Sequence, residues 1–120
     1  MNILIVEDDE HTHSALMSLV RRMGYSPRGA RTSGEAVNEV LRSAPQVLIT
    51  DWDLGEQLSG VEIASLAQEK RDNCQVVFCS GNNISALRRQ TQHLHNCSFI
   101  RKPTSLAQLR EEFSAILSTA

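Results

Sequence analysis

A doubly wound α/β fold is what this sequence predicts: (βα)5, five strands alternating with five helices, the strands forming one parallel sheet of order 2-1-3-4-5. Three observations carry the prediction. Short continuous apolar runs at Ile3–Val6, Val47–Thr50 and Val76–Cys79 read as strands buried on both faces. The stretches between them carry apolar residues at helical spacing, and three of those stretches open on a capping box. Tyr25–Ala30 contains Pro27, which removes a ladder donor, so a strand there belongs at an edge. Right-handed crossovers leave few other arrangements.

Taken in order, Ile3-Leu4-Ile5-Val6 is the first strand and ends in Glu7-Asp8-Asp9. Leu16, Leu19, Val20 and Met23 then fall on one helix face, with Asp9 as N-cap and Gly24 as the stop. Thr32-x-x-Glu35 opens a short helix through Val37, Val40 and Leu41, which Pro45 ends. Val47–Thr50 is the third strand, closed by Asp51. Ser59-x-x-Glu62 starts a helix carrying Ile63, Ala64 and Ala67. After the strand Val76–Cys79, the stretch from Ile84 to Leu94 has only a thin apolar stripe, at Ile84, Leu87 and Leu94. Phe99-Ile100 is a short last strand. Ser105-x-x-Gln108 opens the last helix, with Leu106, Leu109, Phe113, Ile116 and Leu117 on one face.

Composition narrows the function classes. The chain of 120 residues has one domain's worth of sequence, expected to span 1–120, and is 41% hydrophobic and 22% charged. That is ordinary globular composition, which excludes disordered and fibrous classes. Fourteen acids against twelve bases give a net charge of -2, so no basic excess drives binding to nucleic acid. The apolar runs are too short to cross a membrane, and the N-terminus lacks the pattern of a signal peptide. Cys74, Cys79 and Cys97 match no zinc spacing and read as free thiols in a reducing cytoplasm. Met1, directly before the first strand, is expected to be a natural N-terminus. An end at Ala120 fits either a complete protein or part of a longer one.

Ligands of such sheets bind at the carboxyl ends of the strands, near the switch point between the first and third. Those ends carry Glu7, Asp8 and Asp9, then Asp51, Trp52 and Asp53, then Ser80-Gly81, then Lys102-Pro103. Carboxylates held close repel one another unless a cation sits among them. An oxygen-only acidic set suits Mg²⁺, which keeps waters and accepts phosphate oxygens. A carboxylate can also attack phosphorus to give an aspartyl-phosphate. A lysine and a hydroxyl facing it would hold the phosphoryl oxygens. The constellation reads as a Mg²⁺-dependent phosphoryl acceptor.

In these motifs the chain resembles a bacterial two-component response-regulator receiver domain, with the flavodoxin-like fold of the chemotaxis-regulator superfamily, from about Ile3 to Leu117. The resemblance rests on Ile3–Asp8, Leu48-Ile49-Thr50-Asp51 with Leu54 three residues on, Ser80-Gly81, and Phe99-Ile100-Arg101-Lys102-Pro103. It implies that Asp51 is the phosphoacceptor and a metal ligand. Asp8 would bind Mg²⁺ directly, Glu7 through a water, and Asp53 through its backbone carbonyl. Ser80 and the Trp52 amide would contact the phosphoryl group, and Lys102 would pair with one of its oxygens. The bond before Pro103 would be cis. Ser80 and Phe99 would form the switch that changes the face of the fourth helix, fifth strand and fifth helix. Phe99 has no hydroxyl, so that switch would work by packing.

The same resemblance implies a sensor histidine kinase or histidine phosphotransfer protein as donor and a separate, unnamed protein as downstream partner. It implies no direct contact with nucleic acid or membrane, a cytoplasmic location, and no enzyme activity beyond the domain's own phosphotransfer and autodephosphorylation. Asp53 is a weaker acceptor candidate, because Glu56 stands three residues after it where an apolar residue is expected. The loop after Asp51 carries Gly55 where the family has proline, and its next matching glycine, Gly60, comes nine residues after Asp51 instead of eight. His95-Asn96 replaces a small pair before the last strand. His11, His13, His93 and His95 read as surface residues, since i and i+2 do not share a helix face. Arg88, Arg89, Arg101 and Arg110 fall on or near the expected output face and read as solvated charge. Two other readings stay open. Asp51-Trp52-Asp53 imitates the D-x-D of a haloacid-dehalogenase-type phosphatase, although there the motif ends the first strand. An interaction module independent of phosphorylation would leave the acids and Lys102 unexplained.

Overall fold

The computed structural model describes residues 1–51, 59–81, 84–102 and 105–118. In chain order the elements are β1 (Ile3–Val6), α1 (Glu10–Arg22), β2 (Arg28–Ala30), α2 (Ser33–Arg42), β3 (Val47–Asp51), α3 (Gly60–Lys70), β4 (Gln75–Ser80), α4 (Ile84–Gln90), β5 (Cys97–Arg101) and α5 (Leu106–Leu117). The strands lie in the order β2-β1-β3-β4-β5 and every pair is parallel. The predicted architecture and strand order are those observed. The segment holding Pro27 supplies the edge strand, and the paired part of it starts one residue after the proline.

Successive strand residues point to opposite faces, so each strand feeds two cores. Leu4, Val6, Leu48, Val76 and Phe78 pack under α2, α3 and α4 through Ala36, Val40, Ile63, Ala64, Ala67 and Leu87. Ile3, Ile5, Val47, Ile49, Val77 and Cys79 pack under α1 and α5 through Leu16, Leu19, Val20, Leu109, Phe113 and Leu117. This two-sided burial is why the central strands read as unbroken apolar runs.

The caps also follow the sequence. Asp9 caps α1 by accepting from the Thr12 amide, and Gly24 adopts φ 97° just past the helix, where a residue with a Cβ would be strained. Ser59 and Glu62 form a reciprocal capping box on α3. At α2 the Thr32 side chain accepts from the Glu35 amide, while the Glu35 carboxylate takes the Arg31 amide, one residue ahead of the box position.

Three details differ from expectation. α4 ends at Gln90, short of Leu94, and just past that end the Thr91 hydroxyl bonds the Leu87 and Arg88 carbonyls, offering them an alternative to further helical bonds. Leu94 still packs on the core, from the connection that follows. Leu41 is 56% exposed, because one step beyond buried Val40 turns it about 100° away from the sheet. Leu106, 53% exposed, and Arg110 line the groove between α1 and α5. Arg110 therefore borders α1.

Candidate functional site

The register builds the site. Val6 pairs with Thr50, and Asp51 with Cys79, which pairs with Ile100. Glu7 and Asp51 thus emerge level with each other at adjacent strand ends. The Glu7 amide continues the ladder by donating to the Ala30 carbonyl, and the Lys102 amide does the same to the Ser80 carbonyl at 2.8 Å. Lys102 lies two residues past Ile100, so strand alternation returns its side chain to the face that Asp51 uses.

Lys102 Nζ donates to Glu7 Oε1 at 2.9 Å and to Asp51 Oδ2 at 3.2 Å. The Glu7 side chain is only 2% exposed, and its second oxygen accepts from the Asp9 amide. Both Glu7 oxygens are therefore engaged. The Lys102 ammonium is pulled down by burial, but the Glu7 hydrogen bond and the Asp51 and Glu7 charges outweigh this and raise its pKa. Asp8 stands exposed at the mouth, yet lost hydration, then the hydrogen bond and charge of Glu7, raise its carboxyl above the usual range. Asp9 behaves differently. Thr12 donates to it through amide and hydroxyl, and those bonds hold its carboxyl below the usual range. It is a helix cap.

The oxygens of Glu7, Asp8 and Asp51 lie within 4.8 Å of one another, and this is the single such cluster among the described residues. Three acids meet one ammonium there. All donors are hard carboxylate oxygens and the excess charge is negative, so the residues fit a divalent cation such as Mg²⁺. A cation there would also relieve the crowding felt at Asp8.

Of the other expected residues, Ser80 ends β4 and is 2% exposed. Phe99 lies on β5, half-buried and paired with Phe78. The two rings stack with centroids 5.8 Å apart, and the Arg88 guanidinium sits 5.2 Å from the Phe99 centroid. Arg88 is therefore laid on an aromatic face, a contact that no local spacing signals. Trp52, Asp53, Leu54, Gly55, Glu56 and Pro103 lie outside the described residues. His93 Nε2 bonds the Ser65 hydroxyl and His95 Nε2 bonds the Asp72 carbonyl, so both serve α3 and its exit. The Gln68 side chain adds bonds to the Cys74 and His95 carbonyls, anchoring the segment before β5.

A family model described as the response regulator receiver domain matches residues 3–114. Among curated relatives, the response regulator protein TodT of Pseudomonas putida is 29% identical over 118 residues, covering 98% of this chain and 52% of TodT. The nitrogen assimilation regulatory protein NtrX of Azorhizobium caulinodans is 27% identical over 114 residues, covering 90% of this chain and 24% of NtrX. The chain thus spans a quarter to a half of the length of these relatives. The N-terminal domain of a response regulator/sensory box/GGDEF protein from Carboxydothermus hydrogenoformans superposes with a TM-score of 0.85 at 24% identity, covering 99% of this chain and 95% of that one, and shares the fold.

Proposed function

This chain belongs to the response regulator receiver domain family, and we propose that it is a phosphorylatable switch of a two-component system, with 1–120 forming one receiver unit. Asp51 accepts a phosphoryl group from a sensor histidine kinase or histidine phosphotransfer protein. The observation that carries this reading is the position of Lys102 Nζ, shared between Asp51 and buried Glu7 beside Asp8.

In the transfer, an Asp51 carboxylate oxygen forms the bond to phosphorus as the donor's phosphorus–nitrogen bond breaks, and the electron pair stays on the donor imidazole. Lys102 moves its hydrogen bond from the Asp51 carboxylate to a phosphoryl oxygen, while Glu7 keeps the ammonium on station. The Ser80 hydroxyl and the Trp52 amide hold the other oxygens. Asp8, Asp51 and the Asp53 carbonyl would hold Mg²⁺ directly and Glu7 through a water, and the ion would supply neutralisation of the charge that builds on those oxygens. Ser80 and Phe99 then relay the change to α4, β5 and α5, where a separate protein binds.

No enzyme activity beyond this self-modification is part of the reading. A net charge of -2 argues against direct contact with nucleic acid, and no helix among the described residues is long and apolar enough to cross a membrane. The chain acts in the cytoplasm, where its donor and its partner would meet it.

The test is acetyl phosphate with Mg²⁺, read by intact mass and by fluorescence of the single tryptophan, Trp52. One acid-labile phosphate per chain is expected, and Asp51→Asn should take none. Labelling that survives in Asp51→Asn would move the acceptor elsewhere. Turnover of phosphate esters would favour the phosphatase reading, and an inert wild type would favour an interaction module.

A further inference from the structure

Gly60, the first residue of α3, stands against the end of β3. A Cβ built on it would lie 2.1 Å from the Asp51 main-chain oxygen, 3.1 Å from the Asp51 carbonyl carbon and 3.1 Å from the Thr50 hydroxyl. No carbon approaches a backbone oxygen so closely, and only hydrogen fits there. The two Asp51 atoms are backbone and cannot swing aside. Gly29 is a useful contrast, because its added Cβ would meet the His13 side chain, which can rotate. Gly34 is open, with nothing nearer than the Thr32 hydroxyl at 3.9 Å. Gly24 is the glycine with positive φ among the described residues, so what Gly60 supplies is space and not a special conformation.

The surroundings decide where a clash would go. Thr50 is buried and its hydroxyl donates to the Asp51 carbonyl at 2.9 Å, pinning that oxygen from its own strand. α3 has little freedom to retreat. Ile63, Ala64 and Ala67 are fully buried against the sheet, and the Ser59–Glu62 box fixes its first turn. Asp51 is the last residue of its strand, so it is the softest of the three partners.

We infer that Gly60 is a positioning residue for Asp51: its missing side chain lets the first turn of α3 close on the Asp51 carbonyl, and with Thr50 it sets where the Asp51 carboxylate stands relative to Lys102. This rests on the reading of Asp51 as the phosphoryl acceptor. Misplacing a reacting group by about 1 Å costs roughly 10²-fold in rate. Gly60→Ala should therefore slow acetyl-phosphate labelling by about 10- to 100-fold at saturating Mg²⁺. It should also weaken Mg²⁺ binding, measured without phosphodonor by Trp52 fluorescence.

The experiment compares wild type, Gly60→Ala and Gly34→Ala in urea unfolding, Mg²⁺ titration and labelling rate. Gly34→Ala is expected to match wild type in binding and labelling. Gly60→Ala that labels and binds Mg²⁺ as wild type does, whatever its stability, overturns the inference. Should Gly60→Ala fail to fold, Thr50→Val and Thr50→Ser carry the test. Slow labelling in the valine variant with recovery in the serine variant supports the assignment, and wild-type labelling in the valine variant overturns it. A wild type that takes no phosphate overturns the acceptor reading itself, which separates the two failures.

Discussion

Lys102 and Glu7 lie 95 residues apart in the chain and meet at 2.9 Å. Glu7 is the more buried partner, so the ammonium compensates a carboxylate that water scarcely reaches. Lys102→Met should cost about 3 kcal/mol in urea unfolding, because it strands that charge. Adding Glu7→Gln should recover part of the loss. A double variant less stable than Lys102→Met alone would show that Glu7 has another partner of equal weight. The sign with pH follows from the raised lysine pKa: the contribution is complete below the ordinary value of 10.5 and fades as pH climbs through the higher folded value.

Asp8 gives the opposite sign. Its folded pKa is raised, so ionising it destabilises the metal-free protein as pH rises past 3.8 and through that higher value. In EDTA at neutral pH, Asp8→Asn should melt a few degrees above wild type. Mg²⁺ should reverse the ranking, since only wild type keeps the full acid set. Thermal melts with and without Mg²⁺ check this, and an unchanged ranking would remove Asp8 from the metal site.

Glu39 accepts from Arg42 at 2.7 Å and from Arg28 at 2.9 Å, and these bonds, the Arg42 one foremost, hold its carboxyl below the usual range. Glu39→Gln should lower stability at pH 7 by about 0.5–1 kcal/mol, a modest figure because both arginines reach solvent. The lowered pKa makes this contribution complete above 4.5 and lost as pH falls through the folded value. Denaturation curves at pH 7 and pH 4 should show the gap narrowing at the lower pH.

Leu87 is the one fully buried residue of α4. Leu87→Ala should cost about 2–4 kcal/mol and free α4 ahead of the sheet. Hydrogen exchange of residues 84–90 is the measurement, and protection equal to that of β3 in the variant would contradict it.

Burial pushes the Cys74 thiol up to about 11 and the Cys79 thiol up to about 12, so about one Cys74 in a thousand is thiolate at pH 8 and fewer still at Cys79. A thiol reagent should modify only half-buried Cys97 in the folded protein, and the other two should react at the rate of unfolding. Fast modification of all three would show that the sheet opens more readily than its burial implies.

Much of this was legible in the sequence because two signals coincide. Apolar runs mark strands buried on both faces, and each run leads into a residue of the candidate site: Glu7, Asp51, Ser80 and, one residue past Arg101, Lys102. Local caps such as Asp9 and Ser59 could be read for the same reason, since they act within three residues. What escaped the sequence depends on approach through space. Arg88 covers Phe99 because the turn of α4 brings it over β5, and Arg110 turns toward α1 because of how α5 rolls on the sheet. Gly60 stood out only by its distance from Asp51, and its tight fit is visible only once α3 is docked. The sequence suggests a longer α4 because Leu94 is apolar and partly buried, and periodicity cannot tell a helix residue from one in the connection after it.

The fifth strand of the sheet in chain order, β5, is a border strand, paired among the described residues with β4 alone. Peeling it away would take Lys102 from the acids and leave β2, β1, β3 and β4 paired. A chain with β5 frayed thus keeps four paired strands while its acids lose their ammonium. In the proposed switch, competence to accept a phosphoryl group would then wait until β5 is paired, so that the border strand with the latest place in the sheet completes the site.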